Sequence, residues 1–182
     1  MKLPKKLTQG PTGNLFYASL GVLVAVIFYY VILRSALATD LPMVAVVSNS
    51  MKHDTSLNTD YYQWLENNLG YNKTYIDSWP VGGGFVIGDM PIIKGSSEYK
   101  VGDVIVYNTP CPGTYCQSAP IIHRIIKINE DGTYQTKGDN NSGQLPYELS
   151  IKKEQIHGKV IFIIPKVGYL KVVLNKLIGA VK

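Results

Sequence analysis

Apolar residues run almost unbroken from Leu15 to Leu33, the longest such stretch in the chain. About 20 apolar residues cross the hydrocarbon core of a bilayer as a helix, so the pattern predicts one transmembrane helix over residues 14–35. Tyr17, Phe28, Tyr29 and Tyr30 suit its interfacial ends. A cleaved signal sequence is the rival reading, since Ala36-Leu37-Ala38 resembles a small-residue cleavage site. The apolar run is longer than the usual signal core, which favours an uncleaved anchor. Lys2, Lys5 and Lys6 precede the span and a single Arg34 follows it. That asymmetry keeps residues 1–13 cytoplasmic and places the remainder outside the membrane or in a lumen.

After Asp40-Leu41-Pro42 the periodicity changes. Met43 to Val47 is a short buried strand in this reading. Residues from about 52 to 88 have the character of an insert. Within it a helix starts near Thr59-Asp60, carries Tyr61, Trp64, Leu65 and Leu69 on one face and ends at Gly70. From Phe85 onward short β-type runs dominate: Met90–Lys94, Asp103–Tyr107, Ile121–Ile128, Thr133–Lys137 and Lys159–Ile164. Turn chemistry such as Glu130-Asp131-Gly132 separates them. The fold class is therefore mainly β: a compact antiparallel, partly barrel-like domain over 36–165, behind an N-terminal transmembrane helix and with a small helical insert. Residues 166–182 alternate lysines with Leu, Val and Ile, as an amphipathic helix lying on a membrane or packed on the domain would.

Composition supports membrane attachment. Of the 182 residues 46% are hydrophobic and only 17% charged. The net charge of +5 gathers near the two ends, beside apolar segments, which suits anionic lipid head groups and argues against nucleic acid as a partner. Cys111 and Cys116 lack the further ligands of a zinc site. In an oxidising compartment they are expected to form a disulfide closing a small loop. No metal or other cofactor is expected.

The candidate chemistry begins where the apolar run Val46-Val47 gives way to Ser48-Asn49-Ser50-Met51. A serine hydroxyl becomes a nucleophile when a base takes its proton and a third group orients that base. Of three histidines, His53 is too close to Ser50 in sequence for easy geometry, and His157 reads as a solvated loop residue. His123 lies inside the apolar strand Ile121–Ile126 beside Arg124, and a buried imidazole needs a hydrogen-bond partner. Gly138 permits a bend that would return Asp139 toward it.

Four segments together resemble the type I signal peptidases: Ser48-Asn49-Ser50-Met51, Gly102 to Tyr107, Ile122 to Ile126, and Thr136 to Asn141, in the order and approximate spacing of that family. The likeness is to the archaeal and endoplasmic-reticulum branch, which carries histidine as its base. The stretch from Trp79 to Met90 also looks like an insert of archaeal members.

This resemblance implies a serine endopeptidase that frees secretory preproteins from their signal peptides after small residues. It implies Ser50 as nucleophile, His123 as general base, Asp139 as the carboxylate orienting His123, and Ser48 with the Ser50 N–H as oxyanion donors. An extended substrate would add to the strand carrying Val44, Val46 and Val47. The implied partners are such preproteins, the bilayer and the protein translocation channel. The enzyme would be a single-pass protein of the cell membrane or the endoplasmic-reticulum membrane. One departure stands out. Related enzymes often have a second aspartate shortly after Gly-Asp-Asn, whereas here Asp139 is the last aspartate and Glu148 the nearest other carboxylate. Glu148, beyond Pro146, reads as a solvated surface acid. A non-catalytic anchored β domain for binding or assembly is the alternative.

Overall fold

The structure, a computed structural model, describes residues 10–53, 59–109, 120–169 and 173. The chain divides after Ala38 into two units. The first holds a helix, α1, over Gly10–Leu37. Its 28 residues reach about 40 Å at 1.5 Å per residue, more than the roughly 30 Å of a hydrocarbon core. Wider π turns occupy Phe28–Leu33. Ala38 closes the helix in the left-handed conformation, ahead of the Asp40-Leu41-Pro42 break expected from sequence.

The second unit is built on one antiparallel sheet. Its strands are β1 (Met90–Lys94), β2 (Val104–Tyr107), β3 (Ile121–Ile128), β4 (Tyr134–Lys137) and β5 (Ile156–Ile164), arranged β1-β5-β2-β3-β4. The mainly β, antiparallel expectation holds, in the form of an open sheet. Four consecutive apolar residues make β2 its centre, because alternate side chains face opposite sides and both sides are covered. Val104 and Val106 join Val44, Val46, Met51, Phe85, Ile93 and Val160 in one core. Ile105 and Tyr107 join Tyr99, Ile125, Tyr134 and Ile151 in a second. The first core draws on both sequence ends of the domain, from Val44 to Val160, and so ties the Ser50 segment to the sheet.

The insert folds as expected into α2 (Thr59–Leu69), followed by α3 (Lys73–Asp77). Tyr61, Leu65, Ile76 and Trp79 pack with Ile126 into a third cluster, and Trp64 and Leu69 lie at its margin. Met43 to Val47 runs beside β1 without full strand pairing: Met43 bridges Ile92, and the Val44 and Val46 N–H groups donate to Pro91 and Asp89. β5 begins at Ile156, earlier than predicted, and takes in His157. That histidine is no solvated loop residue; its Nδ1 lies 2.7 Å from Asp40 Oδ1. Cys111, Cys116 and most of the C-terminal segment lie outside the described residues.

Candidate active site

Ser50 sits on a turn with little freedom. The next side chain, Met51, is buried in the first core. Lys52 N–H donates to Asn49 O at 3.0 Å, Phe85 N–H to Met51 O at 3.0 Å, and Asn140 N–H to Ser50 O at 2.8 Å. Gly84 lets the insert approach this turn: in its left-handed conformation, a Cβ would fall 2.4 Å from Met51 O. The Ser50 hydroxyl lies 3.2 Å from that of Ser48, and either can donate.

Register explains the polar pair in β3. Successive strand residues face opposite sides, so His123, opposite Ile105, and Arg124, opposite Val104, diverge. His123 borders a cleft of about 480 Å³ that is also lined by Val44, Val46, Val47, Ser48, Ser50 and Tyr147. Arg124 is completely buried on the other side and reaches the carbonyls of Pro80, Val81 and Gly102.

The carboxylate that lies against His123 is not the one expected from sequence. His123 Nδ1 lies 2.5 Å from Glu148 Oε1, and the second oxygen of Glu148 accepts the Leu145 N–H at 2.7 Å. Glu148 has no exposed surface at all, so its reading as a solvated acid is overturned. A short 3₁₀ turn, Pro146–Leu149, folds inward and carries it there. Asp139 is buried too, but its carboxylate meets Arg124 Nε and Nη2 and lies 2.8 Å from His53 Nε2, not against His123. The Gly138 bend does return the chain to β3, as read from sequence. It brings glycine itself against the base: a Cβ at 138 would lie 2.8 Å from His123 Nε2. Burial pushes the Asp139 carboxyl up, but the Arg124 charge and the N–H groups of His53 and Arg124 outweigh this and hold it below the usual carboxylate range.

Nδ1–H of His123 therefore donates to a carboxylate, which leaves Nε2 as the basic nitrogen. Among the described residues, the hydrogen-bond partner of the Ser50 hydroxyl is Ser48, with His123 across the same cleft. Such nucleophile–base bonds commonly close only when substrate is bound. His53 and Asp139 do not line this cleft. Sequence reasoning undervalued Glu148 and His53. A usable signal for Glu148 was its position three residues after Leu145, where a carboxylate can fold back onto a free N–H at the start of a turn.

No family model matches the chain. Curated relatives do. The signal peptidase complex catalytic subunit SEC11 of Chaetomium globosum is 33% identical over 89 residues, 44% of this chain and 48% of that protein. Its namesake in Lachancea thermotolerans is 33% identical over 104 residues, covering 50% of this chain and 59% of that protein. In Clavispora lusitaniae the figures are 34% over 92 residues, 44% and 51%. The resemblance to type I signal peptidases of the endoplasmic-reticulum kind holds. The chain spans about half the length of the curated signal peptidase subunits it matches.

Proposed function

We propose that the chain is a membrane-anchored serine endopeptidase that cleaves signal peptides from secretory preproteins after small residues. The observation that carries this reading is the buried Glu148–His123 pair opening onto the cleft that holds Ser50. His123 Nε2 takes the Ser50 proton as the hydroxyl attacks the scissile carbonyl. Glu148 fixes the tautomer and stabilises the imidazolium that forms. The Ser48 hydroxyl and the Ser50 N–H donate to the developing oxyanion, where one well-placed donor is worth roughly 3 kcal/mol. His123 then protonates the leaving amine, and water repeats the cycle on the acyl-enzyme.

Substrate binds extended along Val44 to Ser48. The N–H groups of Val44 and Val46 are spent on the β1 side, which leaves Ala45 and Val47 to pair with a peptide strand on the cleft side. Val44, Val46, Phe85 and Ile122 give the cleft an apolar lining suited to small apolar side chains. α1 is the anchor, with its N-terminus cytoplasmic and the sheet domain extracytoplasmic or luminal. Preproteins, the bilayer and the translocation channel are its partners. Detergent-solubilised chain incubated with a preprotein tests the proposal. Release of the mature protein by wild type and none by Ser50→Ala supports it; equal release by both refutes it.

A further inference from the structure

Beneath the cleft lies a second histidine–carboxylate pair that the proposed chemistry does not use. We infer that His53 is a positioning residue, a strut which holds the Ser50 turn against the Gly138–Asn140 loop and so sets the nucleophile at its working distance from His123. This rests on the functional reading above.

Residues 138–140 grip the nucleophile turn at four points. Asn140 N–H donates to Ser50 O at 2.8 Å, Asn140 Nδ2 to Asn49 O at 3.1 Å, and Asp139 N–H to Met51 Sδ at 3.5 Å. The fourth is His53 Nε2, which donates to Asp139 Oδ2 at 2.8 Å. The same loop touches the base, because Gly138 lies against His123 Nε2. One short loop thus references both reacting groups, and His53 supplies the side-chain-to-side-chain bond among the four.

That link is rigid at both ends. Asp139 is held by Arg124, whose other N–H groups grip Pro80, Val81 and Gly102. His53 packs on Tyr61 with ring centroids 4.8 Å apart and planes tilted by 39°, and lies over Gly84. Among the described residues, the charged and titratable side chains that meet its ring are Asp139, with Arg124 behind it, and Tyr61. Arg124 answers the charge of Asp139, so the acid has no remaining need of an imidazole for neutralisation. What His53 adds is direction: one donor, on a ring wedged between Tyr61 and Gly84, aimed at a fixed carboxylate.

Losing such a link relaxes the distance between nucleophile and base. A displacement on the order of 1 Å costs about a hundredfold in turnover while leaving the peptide-binding edge intact. Two variants of the full chain in detergent separate donor from ring. His53→Phe keeps the packing on Tyr61 and removes the donor. His53→Gln keeps a donor and removes the ring. Initial rates are measured against a fluorogenic peptide spanning a signal-peptide cleavage site, with the melting transition of each variant recorded.

The expected result is a kcat about a hundredfold lower in His53→Phe with KM little changed, turnover largely restored in His53→Gln, and the acid limb of the pH–rate profile retained in both. Wild-type kcat in His53→Phe overturns the strut. So does equal loss in both folded variants together with loss of the acid limb, which would make His53 a proton carrier. If His53→Phe does not fold, Asp139→Asn weakens the same bond from the other end and is read in its place. A fall in kcat at unchanged KM supports the strut, and unchanged kcat overturns it. Absence of cleavage by wild type itself refutes the functional reading, a result distinct from cleavage that is indifferent to His53.

Discussion

Two histidine–carboxylate pairs lie close together in this domain, and they are chemically alike but differently surrounded. In one, His123 meets Glu148 on one side and a solvent-accessible cleft on the other. In the other, His53 meets Asp139 and is closed in by Tyr61 and Gly84. Their carboxylates differ as well. Glu148 is satisfied by the imidazole and one backbone N–H, while Asp139 also carries a buried arginine. A charged acid already neutralised by Arg124 has little to give a transient imidazolium. One whose only histidine is the cleft-facing base has its whole charge available for it. The pairing alone does not make a catalytic dyad. What lies on the far side of the imidazole, and who else shares the acid, decides.

The comparison breaks most sharply at His123. His123→Ala should reduce preprotein cleavage to background at every pH, measured in a chain whose melting transition matches wild type. Substantial residual cleavage would move the base to the His53 pair. Ser48→Ala comes next. It leaves both pairs intact and removes one oxyanion donor, so kcat should fall about a hundred- to a thousandfold in steady-state assays, with KM nearly constant.

The smallest effect concerns stability and the Asp139 side. Its carboxyl is held below the ordinary range when folded and returns to about 3.9 when unfolded. Between those values the unfolded chain binds the extra proton. The contribution to stability is therefore complete above about pH 4 and is lost as pH falls through the folded pKa. Thermal melts of the wild type should drop steeply below about pH 4, and those of Asp139→Asn should drop less steeply.

Much of this was legible in the sequence because local pattern carried it. The apolar run of α1 is a helix whether it serves as anchor or as signal sequence, and the short apolar run of β2 between turn residues is a strand. That Ser50 and His123 meet at one cleft follows from a hydroxyl at the end of a buried run and an imidazole inside another. Which acid lies against His123 was not legible. Gly138 was read as a bend that swings Asp139 toward the base, whereas it is bare so that the base can lie against it. The side chain of Asp139 then points to Arg124, a partner set by strand alternation in β3. Glu148 was taken for a surface acid because the spacing from Leu145 to Glu148 signals a carboxylate folded back onto a turn N–H, but not that the turn itself folds inward. That outcome depends on tertiary closure against β3 and β4, beyond what spacing encodes.

In the proposed mechanism Glu148, not Asp139, is the carboxylate that orients the base. The direct measurement is kcat for Glu148→Gln beside Asp139→Asn in equally folded, detergent-solubilised chains acting on one preprotein. Loss of the orienting carboxylate should cost roughly ten-thousandfold, by leaving His123 in the wrong tautomer. Asp139→Asn, acting through position alone, should cost about a hundredfold. Glu148→Gln slower than Asp139→Asn by at least about tenfold is the predicted result. Near-normal turnover in Glu148→Gln beside a dead Asp139→Asn would contradict it.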